Sequence, residues 1–377
     1  MGKFGKKVEI NLNPLAYNIG LLGESGIGKS TIAKEICEKL AGKDGYISLD
    51  IGREDGHKAI SGIITEKCPT WAKFAEVIDD IVENKQEDYP HLQVVVIDTY
   101  DQLYDLAEKQ VVKLWNKKCI EAQKPQVETI NAAFGGFGKG LDKAKEILLE
   151  KLFSLKSVGV SFFVIGHVKR TDLTDVMSDE QYSMLTANTT QNAFSAIKTK
   201  LDFLGMAYID REMVKVKTKK KDNNGKIIEK NKISGESRVI NFRDDTYSVD
   251  SKCRFANIVD QIPFDADAFI KAIKDAILAE QEKDGIPLEE AQAKQAKEAE
   301  EAKEIAKANS ENAKAKKIEE QEEVKRSEIL DEIMSKIVDA SMETKVKVKD
   351  ILYANGYSKL TDPDIPVKLL KEINDGI

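Results

Sequence analysis

The sequence predicts an α/β fold with a mainly parallel sheet, and three observations support this prediction. Short apolar runs typical of buried strands occur at 16–22, 92–98 and 160–167. Between them lie stretches with apolar residues at helical spacing, so strands alternate with helices in the first half of the chain. From about residue 200 the apolar residues recur at every second position, which predicts antiparallel strands that extend the sheet.

Composition excludes several classes of protein. The 377 residues are 41% hydrophobic and 33% charged, with a formal net charge of −7. No apolar run approaches the roughly 20 residues that a membrane span needs, and no secretory signal follows the basic N-terminus. The four cysteines are scattered and only three histidines occur, which argues against a zinc site or a disulfide framework. We therefore expect a cytoplasmic protein that does not bind membranes.

The first apolar run leads into a complete phosphate-binding loop. Residues 23–31 read GESGIGKST and match the P-loop pattern GxxxxGK[ST]. Glycines let backbone N–H groups surround phosphates, and the following helix directs its positive end at them. We expect ATP and Mg²⁺, with Lys29 on the β- and γ-phosphates and Ser30 on the metal. The residues predicted to bind the nucleotide are Gly23, Glu24, Ser25, Gly26, Ile27, Gly28, Lys29, Ser30 and Thr31.

The strand at 92–98 ends in a second candidate, Asp98. A buried strand that ends in aspartate after a P-loop is a Walker B arrangement, in which Asp98 holds Mg²⁺ through water and Thr99 assists. No glutamate follows Asp98, which disfavours the typical AAA+ pair of acids. In RecA-like ATPases the acid that orients the attacking water lies just past the second strand, and a resemblance to them would offer Asp50 or Glu54 of LDIGRED for this role. We favour Glu54, although either is also compatible with a surface turn.

A second glycine-rich stretch, GGFGKG at 135–140, resembles a phosphate loop only superficially. It lacks the serine or threonine that should follow its lysine. We therefore predict a flexible loop here.

Four stretches together resemble a known family: GLLGESGIGKST, VVVIDTYDQLYDLA, VSFFVIGHVKR and TKLDFLGMAYIDR. They are similar to the phage-encoded RecA-like ATPases of the Sak type, which act in single-strand annealing and recombination. The resemblance covers about residues 10–275. It implies a RecA-like core, action on single-stranded DNA, and self-association into a ring or filament with ATP between subunits. A phage origin would place the protein in the cytoplasm of the host cell.

The resemblance also implies roles for particular residues. His167 stands where RecA-like proteins have a polar sensor of the γ-phosphate. Lys252 and Arg254 resemble the paired basic residues that reach a neighbour's γ-phosphate in RecA- and DnaB-type assemblies. The polar stretch 169–192 matches the location of a mobile DNA-contacting loop, although a plain linker would look similar. The candidate catalytic residues are thus Lys29, Glu54, Asp98, His167, Lys252 and Arg254.

Basic residues are concentrated around a predicted hairpin turn at Asn224-Gly225. Such a hairpin would hold phosphates without sequence preference, or would simply be solvated. Lys169 and Arg170 form a second candidate DNA contact. The cationic residues of the predicted hairpin are Arg211, Lys215, Lys217, Lys219, Lys220, Lys221, Lys226, Lys230 and Lys232.

The C-terminal part of the chain has a different composition. A helix from about residue 265 closes an ATPase domain that we place at 1–279. Residues 280–327 are rich in Ala, Glu and Lys and predict a solvated helical linker. Apolar spacing returns at 328–377 and predicts a small helical module, a candidate docking site for a phage or host single-strand-binding or replication protein.

Three hypotheses for function follow from the sequence. The leading one is an ATP-dependent recombination or annealing protein on single-stranded DNA. A rival is a replication accessory ATPase, similar to a helicase loader, that uses ATP as a switch for binding a protein partner. The third is a nucleotide-binding structural or regulatory protein with negligible turnover.

Overall fold

A computed structural model of the protein describes residues 9–52, 56–174, 181–221, 227–243, 248–283 and 285–377. The chain divides into two compact units, one that ends at Lys307 and one that spans Ala308–Ile377. The first unit contains a central sheet and all of the candidate site residues that the structure describes.

The sheet has a parallel centre and antiparallel additions, as predicted. In the order β7-β1-β5-β4-β2-β3 all neighbouring strands are parallel, and the antiparallel strands β8 and β10 continue the sheet beyond β7. The strands are β1 Ile19–Gly23, β2 Tyr46–Ile51, β3 Thr65–Cys68, β4 Val94–Asp98, β5 Ser161–Thr174, β6 Gln181–Ala187, β7 Phe203–Lys221, β8 Ile227–Asn241, β9 Lys252–Cys253 and β10 Gln261–Pro263.

Helices cover both faces of the sheet. The helices of the first unit are α1 Lys29–Ala41, α2 Trp71–Glu83, α3 Tyr100–Glu121, α4 Lys139–Ser157, α5 Gln191–Lys198 and α6 Ala266–Glu282. On one face, Val94 and Val96 of β4 share a cluster with Ile36 of α1 and Phe269 of α6. The alternate residue Val95 is also fully buried but lies outside that cluster, and α3 and α4 contact β5. The pattern of a strand buried on both faces therefore correctly predicted the layered core.

Two strands run much further than their apolar segments indicated. β5 continues past residue 167 to Thr174 and pairs antiparallel with β6, so most of the described part of 169–192 is a β-hairpin rather than the predicted loop or linker. β7 is a single long strand that pairs with β8 up to Lys221 and Ile227. The predicted Asn224-Gly225 turn lies outside the described residues. Ladder hydrogen bonds to a partner strand stabilise these polar segments, and an apolar pattern does not reveal such bonds.

The glycine-rich stretch 135–140 is also more ordered than predicted. Gly138 caps α4 in the left-handed conformation, and Lys139 and Gly140 belong to that helix. A Cβ on Gly140 would lie 2.2 Å from the carbonyl oxygen of Ile130, so close packing explains this glycine without any phosphate.

The boundary between the two compact units, after Lys307, falls inside the segment 280–327 that the sequence predicts as a linker. Asp265 caps α6 through a 2.9 Å bond from Ala268 N. The next helix, α7 Leu288–Asp339, is longer than the predicted spacer, and its first turns are not simply solvated. Ala291 is buried, and the Gln295 amide bonds the backbone of Ile10 and Leu12.

The second unit is a helical module, as the returning apolar spacing predicted. Besides residues 308–339 of α7 it contains α8 Met342–Ala354 and α9 Val367–Asp375. These helices enclose a cluster including Ile333, Leu352 and Leu370. Among the described residues, no helix has the length and apolar character needed to cross a membrane.

Candidate nucleotide site

The P-loop joins the end of β1 to the start of α1. Gly26 and Gly28 have φ angles of +76° and +107°, in the left-handed region that glycine adopts without strain. Ile27 between them is buried, which anchors the loop in the core. The 13-residue helix α1 begins at Lys29 directly after the loop, so its positive end faces any bound phosphate.

Gly23 has a second role that its motif position does not reveal. A Cβ there would lie 2.8 Å from the carbonyl oxygen and 2.9 Å from the Cβ of Ala207 on the neighbouring β7. The following amide, Glu24 N, donates to the same carbonyl at 3.3 Å. From β8, Arg238 Nη1 donates to Ile27 O at 3.2 Å. The loop is therefore held by β7 and β8 as well as by its own turn.

Lys29 lies inside the loop. The residue is only 6% exposed, and its Nζ donates to Gly23 O at 3.1 Å and Glu24 O at 3.0 Å. These contacts hold the ammonium group within the curve of the loop. A phosphate bound there would meet a positive charge with little reorganisation.

The predicted magnesium residues are brought together from distant parts of the chain. Ser30 Oγ donates to Asp98 Oδ2 at 2.5 Å, although 68 positions separate the two residues. Asp98 is only 6% exposed. The same carboxylate oxygen also lies 2.9 Å from Nε2 of His57, a residue that the sequence analysis missed. In the sequence, only the position of His57 shortly after β2 could have indicated a role in the site.

This donor set fits Mg²⁺. The ion prefers hard oxygen ligands and is usually bound by one or two protein oxygens together with substrate phosphates and water. Ser30 would supply a hydroxyl and Asp98 a carboxylate beside the place for the phosphates. The described residues contain no cluster of three or more His, Cys, Asp or Glu side chains arranged for a metal, as expected where the nucleotide completes the site.

Of the two acids considered for the attacking water, the structure describes one. Asp50 is 4% exposed and pairs in register with Asp98 across β2 and β4, so it lies at the same edge of the sheet. Glu54 lies outside the described residues. The choice between them stays open.

His167 lies level with the start of the P-loop, and its role as a sensor of the γ-phosphate stays a prediction. In the parallel pairing of β1 and β5 it is opposite Gly23, the first residue of the P-loop. Its Nδ1 is 3.1 Å from Asp101 Oδ2 at the start of α3. Burial raises the pKa of Asp101, but the hydrogen bond and charge of His167 outweigh this and hold it below its ordinary value. Asp101 is thus a partner of His167 that the sequence analysis did not identify.

Lys252 and Arg254 do not lie beside the P-loop of their own chain. β9 pairs with the start of β7, and Lys252 is level with Gly20, three residues or about 10 Å before the P-loop. Lys252 Nζ donates to Lys198 O at 2.7 Å, and Arg254 pairs with Asp202 at 3.2 Å. Burial, with the charge of Arg254, lowers the pKa of Lys252. Contact with the γ-phosphate bound by the same chain is excluded by this placement, and a role in a neighbour's site stays a prediction.

The two candidate DNA contacts lie on strands that extend beyond the nucleotide site. Lys169 and Arg170 are exposed on β5, two and three residues beyond His167, and Lys169 Nζ donates to Thr189 O. The described parts of the basic stretch, 211–221 and 227–232, belong to β7 and β8 and lie beyond Ala207. β5 and β7 both neighbour β1, so both sets of cations begin beside the phosphate-binding loop.

Known proteins support the ATP-binding assignment at the level of the domain. Residues 15–255 match the model of a family described as an AAA domain. No curated protein shows significant similarity to the sequence. One similar solved structure comes from an analysis of a prototypical ATPase from the type III secretion system of pathogenic bacteria, with 14% identity and a TM-score of 0.28. The alignment covers 52% of this chain and 51% of that one, about half its length, and carries no functional argument. Because the family model matches more than half of the sequence, the protein belongs to this AAA domain family of P-loop ATPases.

Proposed function

We propose that this protein hydrolyses ATP and acts on single-stranded DNA in recombination, annealing or replication. The proposal rests on two hairpins, β5–β6 and β7–β8, that extend from the sheet on either side of the P-loop. β5 and β7 flank β1, and both continue past the level of Gly23. The extensions comprise residues 168–174 and 208–221, about 23 Å and 46 Å at 3.3 Å per residue.

Charge supports nucleic acid as the ligand of the longer hairpin, which β7 and β8 form. The stretch 211–232 contains nine cationic and three acidic residues, a net charge of +6 in a chain whose total is −7. Phosphate contacts of this kind give affinity without sequence preference. A change in the P-loop on ATP binding would reach both hairpins through β1, β5 and β7. The Sak-type resemblance supports annealing or recombination in the cytoplasm of a phage-infected host.

Reversing two charges on the shorter hairpin should weaken DNA binding. We expect K169E/R170E to bind a fluorescent oligodeoxythymidine less tightly than wild type, because both side chains are exposed beyond the sensor. The slope of log affinity against log salt should fall by about 0.7 for each phosphate that the protein no longer neutralises. Fluorescence anisotropy over a salt series measures both quantities, and ATP turnover should show a smaller stimulation by the oligonucleotide.

A matched control is K271E/K274E, which changes the net charge equally at two exposed positions of α6. It should bind DNA as wild type does. Equal weakening of DNA binding in both variants would show that the effect comes from the overall charge of the protein and not from Lys169 and Arg170. Absence of DNA binding by the wild type at low salt, with no stimulation of turnover, would contradict the proposal.

We also propose self-association with ATP between subunits. Lys252 and Arg254 lie towards the amino ends of the parallel strands, whereas the P-loop follows the carboxyl end of β1. A head-to-tail arrangement would therefore bring them towards the next subunit's site. Each would exchange its present carbonyl or carboxylate partner for phosphate oxygens. A basic side chain that one subunit supplies to its neighbour's site is called a finger. It stabilises the charge of the transition state and leaves ATP binding largely unaffected.

Mixing two inactive variants tests the finger. K252A/R254A should bind ATP normally but turn it over about 10³-fold more slowly, as expected when a finger is removed. K29A keeps the finger and lacks a working P-loop. Mixed oligomers should regain part of the turnover, measured by phosphate release. Unchanged turnover in K252A/R254A rejects the finger, and failure of the mixture to regain turnover argues that these residues only support their own chain.

A protein partner is the alternative function, and one observation favours it. In the second unit, Val338 of α7 and Met342 of α8 are 74% and 80% exposed, and Met334 and Val346 are about half exposed. Exposed apolar residues so close in sequence are typical of a docking surface. A helicase-loader-like switch is therefore favoured if nucleotide changes the binding of a replication protein while DNA has no effect on turnover.

A further inference from the structure

We propose that His57 is a positioning residue of the magnesium site. It fixes the Asp98 carboxylate and ties the short helical turn after β2 to that carboxylate. The inference rests on the proposed ATP chemistry but concerns how this chain prepares to hold the metal. No motif pointed to His57, and its role emerges only from contacts made in the folded chain.

Three contacts define the environment of His57. The residue lies in the short helical turn Gly56–Ala59 and is only 6% exposed. Its Nε2 is 2.9 Å from Asp98 Oδ2 and 3.5 Å from Ser48 Oγ, and its Nδ1 is 2.6 Å from Thr65 Oγ1. The imidazole therefore connects Asp98 at the end of β4 with Thr65 at the start of β3.

The chemistry of these groups assigns the direction of each bond. An ionised carboxylate only accepts, so His57 Nε2 carries the proton and donates to Asp98. In a neutral imidazole Nδ1 is then an acceptor, which the Thr65 hydroxyl satisfies by donating. Both ring nitrogens are thereby occupied, and the ring is fixed in its plane and tautomer. The same device orients metal ligands from a second layer of residues in many proteins.

The consequence for the metal follows from the shared oxygen. Asp98 Oδ2 accepts from both Ser30 and His57. The Ser30 hydroxyl would bind Mg²⁺ through an oxygen lone pair, and His57 would supply a second donor, independent of the metal, that holds the carboxylate in place. Without it, a buried carboxylate would lose a hydrogen bond and its fixed orientation.

A purely structural role makes a different prediction. A buried histidine with satisfied hydrogen bonds would contribute to stability alone, and replacing it would lower the unfolding temperature without changing the response to Mg²⁺. The two roles are therefore separated by the Mg²⁺ dependence of nucleotide binding. This measurement needs no turnover.

The variants are His57→Leu, His57→Gln and Thr65→Val, with the exposed His91→Leu as matched control. Binding of a fluorescent ADP is measured in EDTA and over a Mg²⁺ titration, alongside thermal unfolding. We expect H57L to raise the half-saturating Mg²⁺ concentration about 10- to 100-fold, the range for removal of a residue that orients a metal ligand. Affinity in EDTA should not change. H57Q keeps an N–H donor and should recover part of the effect, T65V should be intermediate, and H91L should match wild type.

An unchanged Mg²⁺ titration in folded H57L would overturn the inference, even if its unfolding temperature fell. Should H57L fail to fold, H57Q and T65V carry the test, and wild-type titrations in both would overturn it equally. The result is independent of turnover. A wild type that binds Mg²⁺-ADP but neither hydrolyses ATP nor binds DNA contradicts the proposed function and leaves the positioning role testable.

Discussion

Replacing Lys29 by alanine should remove nearly all ATP turnover. The ammonium group is buried within the P-loop and directed by two backbone carbonyls, so no other described side chain is placed to substitute for it. Loss of one preorganised donor to the transferring phosphoryl group lowers kcat by about 10²–10³-fold. Loss of a hydrogen bond to a charged group weakens nucleotide binding by about 1.5–3 kcal/mol, roughly 10- to 150-fold in Kd. Phosphate release and fluorescent-nucleotide titration measure the two effects.

The matched control is Lys34→Ala on the same helix. Lys34 forms a partly buried pair with Glu38 on α1 at 3.0 Å and makes no hydrogen bond to the P-loop carbonyls that hold Lys29. K34A should keep wild-type binding and turnover, and thermal unfolding should show that K29A remains folded. Full binding and turnover in K29A would mean that residues 23–31 do not form the nucleotide site.

The second large effect is expected from Asp98→Asn. The amide has the shape of the carboxylate but lacks its charge. It can accept from Ser30 and His57 with its single oxygen only if its NH₂ group takes the place of the second carboxylate oxygen. The metal should therefore bind weakly and in the wrong place. We expect turnover to fall at least about 10²-fold, as for other losses of transition-state charge stabilisation. Nucleotide affinity in EDTA should be retained, whereas its increase on adding Mg²⁺ should disappear.

Asp44→Asn is the surface control for this charge change, because Asp44 is exposed in the turn before β2. It should behave as wild type in both assays. If D98N kept its Mg²⁺ response and its turnover, the Walker B assignment would be wrong, and the role of His57 would be wrong with it.

The parts of the site that sequence predicted are those that depend on neighbouring residues. A tight glycine turn, the lysine and serine after it, and the helix behind it form within nine positions, so their spacing alone specifies the geometry. The buried strand before Asp98 is predicted equally well, because an all-apolar run has few other places in a folded chain. The P-loop and Asp98 therefore needed no tertiary information.

Residues that meet only across the sheet could not be predicted in this way. His57 and Asp98 are 41 positions apart, and Asp101 and His167 are 66 apart. Their contacts depend on which strands are neighbours and in what register, and local spacing contains neither. The same reason explains the basic pair at 252 and 254. A resemblance suggested a finger, but the pairing of β9 with the start of β7 decides at which end of the sheet it lies.

The sequence by itself determined a P-loop ATPase core with a mainly parallel sheet, since those features follow from hydrophobic period and a nine-residue loop. Only the tertiary structure decided that β5 separates β1 from β4, and that polar stretches are hairpins beside the P-loop. Hydrogen bonds between strands distant in sequence stabilise those pairings, and nearly every residue can make such backbone bonds. Side-chain patterns therefore identify the strands, whereas folding of the whole chain decides which strands meet.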